Sequence, residues 1–456
     1  MVGVSLSRWT MTYFAAALVA LLTAEVLMSV GWGYPNAVLA APSTLVLVHL
    51  VTLGWLSLLL CGALFQFVPV LVAKPLRHPQ LPLITLLLLV AGISTLLLGF
   101  LGLRGTLSTR WALFPIASTL LAAGFGLVLW NLGRTLASAR PLTLPARFVV
   151  VGLLGLVATV ALGITFALVL GADVTAPFAV RLFAYGLPLH IIAGLGGWLS
   201  LTAMGVSYRL LAMFMLAPES DRRSTRAVLL FGAGALGVSV LGGTVVIGFD
   251  HGIAAVLAVA ALPGLLAIAL YVHDLVHLYR VRKRRVIELN SRMAAAAVAS
   301  LAIAAVLLIV LVGTESLTRN VAALVFLILF GWLSGLGLAK LYKIIPFLTW
   351  LECYGPALGR APTPRVQDLV AEQRARKWFA LYFAAVWIGT GALLDHAAGL
   401  FRVAAALQLI ATAGITVQLI RARRLIDVPA PVRFPAGSRR PALLFAALDA
   451  RPTTGG

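Results

Sequence analysis

Runs of about twenty or more apolar residues, separated by short polar stretches, follow one another along the whole chain. Each is long enough to cross the roughly 30 Å hydrocarbon core of a bilayer as a helix. The pattern places them near 11–31, 43–72, 81–103, 111–133, 148–170, 182–214, 227–248, 252–272, 293–313, 320–350, 378–394 and 398–420, which predicts twelve spans, the eleventh short. The first run follows Arg8 and precedes an Ala-rich stretch at 38–41, the layout of a cleaved leader. It is longer than a leader's apolar region and carries Glu25, so it reads as a first span. The longest polar connection, 351–377, predicts either an amphipathic surface helix over 364–377 or a solvated charged connector. Beyond Arg424 the sequence turns to Pro, Arg and Gly, and the expectation is a disordered basic cytoplasmic tail over 425–456.

The tetrapeptide Gly54-Trp55-Leu56-Ser57 returns as Gly197-Trp198-Leu199-Ser200 and as Gly331-Trp332-Leu333-Ser334, in spans 2, 6 and 10. A small residue follows each copy (Gly62, Gly205, Ala339), then an aromatic (Phe65, Tyr208, Tyr342), a long polar side chain (Gln66, Arg209, Lys343), and Pro69, Ala212 or Pro346. The repeat unit is four helices. The expected fold is therefore an all-α polytopic membrane protein: three pseudo-equivalent units, about 1–140, 141–285 and 286–424, closed into a ring. At 100° per residue the repeated positions fall within about 40° of one helical stripe. Close helix packing through small residues explains that stripe, with the basic side chains snorkelling toward headgroups.

Composition supports lipid as the solvent: 61% of residues are hydrophobic, 11% charged, and the mean hydropathy is +1.04. The net charge of +21 does not point to nucleic acid, because the basic residues are spread between apolar runs rather than gathered on one soluble face. They follow the positive-inside rule instead. With both termini cytoplasmic, 27 Lys and Arg fall in inner segments. Five fall outside, namely Arg104, Arg110, Arg181, Arg319 and Arg402, and Arg209, Lys340 and Lys343 sit at inner helix ends. Cys61 and Cys353 are the only cysteines, with no Cys-x-x-Cys and no covalent haem attachment motif, which argues against disulfide scaffolds and thiolate metal sites.

Histidines at 49 and 190 precede the first two tryptophans by six and eight residues. They swing off the common stripe by about 120° in one sense and about 80° in the other, so helices facing each other across a ring could bring them together. An imidazole in lipid must satisfy both ring nitrogens, either by hydrogen bonds to neighbouring carbonyls or hydroxyls or by ligating a metal. Glu25, in the outer half of span 1, is a functional candidate as an intramembrane carboxylate: a neutral hydrogen-bonded acid, or a partner orienting a ligand histidine. Asp250-His251 and Asp395-His396 sit at outer turns and read as exposed loop residues or as an outer metal site. Arg402, also outside, could pair with carboxylates such as haem propionates. His273 and His277 share the i, i+4 spacing of zinc sites but lack a third ligand, and read as an interfacial helix end. His78 reads as a loop residue.

Twelve spans, three four-helix units, and the run His49-x4-Gly54-Trp55 to Gly62-x2-Phe65-Gln66-x2-Pro69 together resemble the catalytic subunits of haem-copper oxidases and nitric oxide reductases. The resemblance covers roughly residues 1–422 as a pattern. It implies that His49 is an axial haem ligand and that His190 takes the place of a copper ligand, with b-type haem, and copper, as cofactors. It also implies a quinol or redox protein as partner, and a bacterial-type plasma membrane as location. The family's histidines in spans 7 and 10 have no counterpart in 227–248 or 320–350. The expected function is thus electron transfer, nitric oxide handling or haem and copper homeostasis rather than oxygen reduction. The alternative is a transporter of a metal or small solute built on the same ring.

Overall fold

A bilayer offers the backbone no hydrogen-bonding partners, so an apolar run long enough to span one must bond within itself, as a helix. The computed structural model describes residues 7–105, 112–218, 221–436, 438 and 440–446. Among them are twelve helices long and apolar enough to cross a membrane, and no strand. These are α1 Thr10–Ser29, α2 Pro42–Val72, α3 Leu81–Leu103, α4 Leu113–Ala137, α5 Leu144–Leu170, α6 Leu187–Met215, α7 Arg223–Gly248, α8 Ala254–Arg280, α9 Leu289–Gly313, α10 Leu317–Ala357, α11 Glu372–Leu394 and α12 Ala398–Arg423. Proline stands in the first turn of α2, α3, α5 and α6, where its missing N–H costs nothing. Left-handed caps end α2 at Ala73 and α6 at Leu216, each eighteen residues after its tryptophan.

Each helix packs against the next, and α12 returns to lie along α1, closing a ring with α2, α6 and α10 innermost. In α10, 78% of the most apolar window is buried, against 17% in the peripheral α8. Both described ends of the chain meet on one face, where the Ala446 N–H donates to the Arg8 carbonyl at 2.9 Å. We call this the terminal face. The N-terminal ends of α2, α6 and α10 lie toward the opposite face.

Three expectations change. The segment 364–377 forms no amphipathic surface helix: Val366–Leu369 is a single tight turn, and the charged residues from Glu372 are the first turns of α11. Trp350 Nε1 donates to the Pro364 carbonyl and Leu369 is buried, so the loop is pinned back onto α10. The eighth helix continues to Arg280, carrying His273 and His277 within it. The expected disordered tail is docked over its described part. Leu425 and Val428 are buried with Cys353, Tyr354 and Leu369, and Arg423 donates to the carbonyls of Ala442 and Phe445. The segment is too poor in apolar residues to bury surface by itself, and here the helices supply the surface. Residues 447–456 of that tail, and Arg110, lie outside the described residues.

Candidate functional site

An indole N–H in hydrocarbon needs an acceptor, and the repeated tetrapeptide supplies one on the neighbouring helix. Trp55 Nε1 of α2 donates to Ser334 Oγ of α10 at 2.8 Å, Trp198 Nε1 of α6 to Ser57 Oγ of α2 at 3.1 Å, and Trp332 Nε1 of α10 to Ser200 Oγ of α6 at 3.2 Å. The three bonds run head to tail around the axis and close on themselves. All three tryptophans are at most 2% exposed. The tetrapeptides also end π-helical stretches, Leu50–Ser57, Ile192–Leu201 and Leu327–Ser334, with Leu201 one residue past its serine. In such wide turns, Ser57 and Ser334 donate to carbonyls five residues back, those of Thr52 and Leu329, while accepting the neighbouring indole. The glycine opening each copy admits the preceding helix: a Cβ at Gly54 would stand 2.9 Å from Ala20, and one at Gly331 2.8 Å from Ser300. Packing was therefore legible in the repeat, but its polar half was not. Lys343 does not snorkel free, as it pairs with Glu288 at 2.6 Å.

The histidines sit on the N-terminal side of this ring, where the π-helical stretches begin. His49 Nδ1 is 2.8 Å from the Leu45 carbonyl one turn back, so Nδ1 carries the proton and the lone pair is on Nε2. Its ring lies 5.0 Å from Phe100 of α3. His190 packs 5.5 Å from Phe166 of α5, and its buried Nδ1 has no hydrogen-bond partner of ordinary geometry, although the Thr159 backbone is nearby. Gly163 makes room for it, since a Cβ there would meet His190 Cε1 at 3.1 Å. His49 thus turns toward α3 and His190 toward α5. A π turn advances each residue by less than 100°, so the angles reckoned on a regular wheel do not hold across these segments.

One imidazole thus has its tautomer set by a backbone carbonyl, which leaves Nε2 free to accept or to ligate, and the other sits against Gly163. No group of three or more His, Cys, Asp or Glu side chains suited to a metal ion occurs among the described residues.

The other candidates are dispersed. Glu25 is fully buried, but Oε1 accepts from Gln408 Nε2 and Thr412 Oγ1 of α12, both at 2.9 Å. With the His49 Nδ1 proton given to Leu45, Glu25 does not orient that ligand. Arg402 reaches the Ser29 carbonyl at 3.4 Å, at the α1–α12 boundary. His251 is exposed in the turn after α7, and His396, in the turn after α11, accepts from Arg319 Nε at 2.8 Å. They assemble no outer metal site with Asp250 and Asp395. His78 is a loop residue whose backbone is bridged by Asn131. His273 is exposed on the lipid side of α8.

Sequence reasoning overlooked several buried charges, among them Asp274 and Lys340. Asp274, read only as the spacer between two histidines, is 2% exposed and accepts from Tyr208, Ser224 and Thr225, tying α6, α7 and α8 together. Lys340, read as a helix-end cation, is 7% exposed beside the axis. For Lys340 the available signal was a charge flanked by apolar neighbours, whereas Asp274 stands beside His273. Neither a family model nor a curated protein matches the chain.

Proposed function

We propose that this chain is an integral membrane haem-binding protein of haem-copper oxidase subunit I type, with His49 and His190 as the ligands of a b-type haem. The observation that carries the reading is His49, whose Nδ1 proton is given to the Leu45 carbonyl so that its Nε2 lone pair is free. When bound, a haem held by two imidazoles supplies a one-electron couple, and one held by a single imidazole leaves a place for a diatomic gas. The chain's own part is to present the Nε2 lone pair of His49, seat His190 against Gly163, and keep water out with Phe100 and Phe166. With no histidine in α7 or α10, the reading is electron transfer, nitric oxide handling or haem and copper homeostasis rather than oxygen reduction. The positive-inside count supports a cytoplasmic terminal face, and a plasma membrane of bacterial type goes with the resemblance. A quinol or a redox protein is the partner class of that reading.

The test is one absorption spectrum of protein purified in mild detergent from haem-replete cells. A Soret band that shifts on dithionite addition, and that is lost or displaced in His49→Ala and His190→Ala, is the expected result. A colourless protein, or a band indifferent to both substitutions, overturns the assignment and leaves the transporter reading in its place.

A further inference from the structure

On the other side of the Trp–Ser ring from the histidines, α2, α6 and α10 diverge around a cavity of about 80 Å³. Leu56, Leu199 and Leu333, each directly after its tryptophan, begin its wall. Below them the register is threefold. Leu60, Ala203 and Gly337 lie five residues past the tryptophans, Ala63, Val206 and Lys340 eight past, and Phe67, Leu210 and Ile344 twelve past. Leu60, Ala63, Phe67, Ala203, Val206 and Gly337 are half exposed although they face the molecule's axis, so the space is real and not fully closed. Gly337 lets Leu59 of α2 pack close against α10, where a Cβ would come within 2.7 Å of it.

In the position that the other two helices fill with Ala63 and Val206, α10 places Lys340. Its ammonium lies 5.7 Å from the centre of the Phe214 ring and has no hydrogen-bond partner among the described residues. Lys343 shares the face of that ring, but it is matched by Glu288, which also holds Arg284 and accepts from Gln367. The local carboxylate is thus already committed, and Lys340 lacks a counter-ion. A buried ammonium without one is costly. Apart from Lys340 the wall offers a single hydroxyl, Ser207, so a strongly hydrated or multiply charged anion would find too few donors.

We propose that the axial cavity binds a monocarboxylate with an apolar body, its carboxylate against Lys340 and its body along Leu60, Phe67, Val206 and Leu210. The Trp–Ser ring separates this place from the histidines, so it stands or falls independently of the haem reading. The size of the cavity suits a carboxylate and its first few carbons, with the rest of the chain leaving through the open side.

Native mass spectrometry of the full chain in phosphatidylcholine nanodiscs, titrated with dodecanoate, dodecanol, benzoate and acetate, tests it. One dodecanoate or benzoate per chain is expected, with dodecanol and acetate at least tenfold weaker; dodecanoate against benzoate distinguishes a bilayer fatty acid from a ring acid taken from water. Lys340→Met should lower the acid's affinity at least tenfold, Lys340→Arg should keep most of it, and Val206→Phe should block it by filling the cavity. Equal binding of dodecanol, equal binding of acetate, or unchanged affinity in Lys340→Met overturns the proposal. Should Lys340→Met fail to accumulate folded, Val206→Phe decides, and wild-type affinity in that variant refutes the site. The haem spectrum should be the same in all three variants.

Discussion

Replacing Ser57 by alanine removes one hydroxyl that does two things: it accepts the Trp198 indole N–H and donates to the Thr52 carbonyl. Serine and indole are both 2% exposed, so neither stranded group can turn to water. For a buried group left unpaired, soluble proteins lose about 1–3 kcal/mol. Interhelical bonds in membrane proteins average about 0.6 kcal/mol with a maximum near 1.7, because the unfolded chain in lipid also finds partners. We therefore expect about 1 kcal/mol for Ser57→Ala, and similar losses for Ser200→Ala and Ser334→Ala, since each orphans one indole of the same ring. The decisive measurement is a double-mutant cycle of Ser57→Ala with Trp198→Phe, read as tryptophan fluorescence during unfolding by sodium dodecyl sulfate in mixed micelles. The cycle cancels the volume lost with the indole. The coupling should be about 0.6–1.7 kcal/mol, or about 3- to 18-fold in the unfolding constant. Ser57→Ala with Trp332→Phe is the control, because Trp332 bonds Ser200 and not Ser57; that pair should add within about 0.3–0.5 kcal/mol. Additivity in the first cycle, or equal coupling in both, would refute a directional hydrogen-bonded ring.

Two further outcomes follow on the terminal face. Arg423→Met breaks the buried 2.6 Å ion pair with Glu352 and releases the carbonyls of Ala442 and Phe445, so a destabilisation of about 3–5 kcal/mol is expected. Limited proteolysis should then cut within 434–446 at rates the wild type resists; unchanged protection would count against the docked tail. Asp427 accepts from Arg421 and Arg374 across the α11–α12 ends, and the Arg421 hydrogen bonds, with help from Arg374, hold its carboxyl below the usual range. A depressed folded value means this contribution is present above the unfolded carboxyl's pKa near 4 and is lost as pH falls through the folded one. Hydrogen exchange over 425–433 should therefore be faster in Asp427→Asn than in wild type at pH 7, with the difference shrinking below about pH 4. A difference independent of pH would show that the charge is not the cause.

The histidine pair shows how far pattern reading reaches. The two were legible as candidates because an imidazole among apolar residues is conspicuous, and their opposite offsets from Trp55 and Trp198 suggested convergence. The angles themselves were not legible, because the wheel assumes a regular helix and the π turns begin within two residues of each histidine. Glu25 was equally conspicuous, but its partners on α12 lie more than 380 residues away in sequence. Asp274 was masked by the histidines around it, since local spacing says nothing of hydroxyls arriving from α6 and α7.

The chain's order of apolar runs determined twelve helices by itself, because a bilayer leaves a long apolar segment only one way to satisfy its backbone. The repeat determined which three helices are alike. The tertiary structure alone decided what the likeness is for. Hydrogen bonds from Trp55, Trp198 and Trp332 cross between helices well over a hundred residues apart, and their head-to-tail order depends on which side of each helix faces the axis. The same holds for Lys340. One-dimensional pattern registers a cation near a helix end, but whether it meets headgroups or an apolar cavity is set by how three helices diverge beneath the ring.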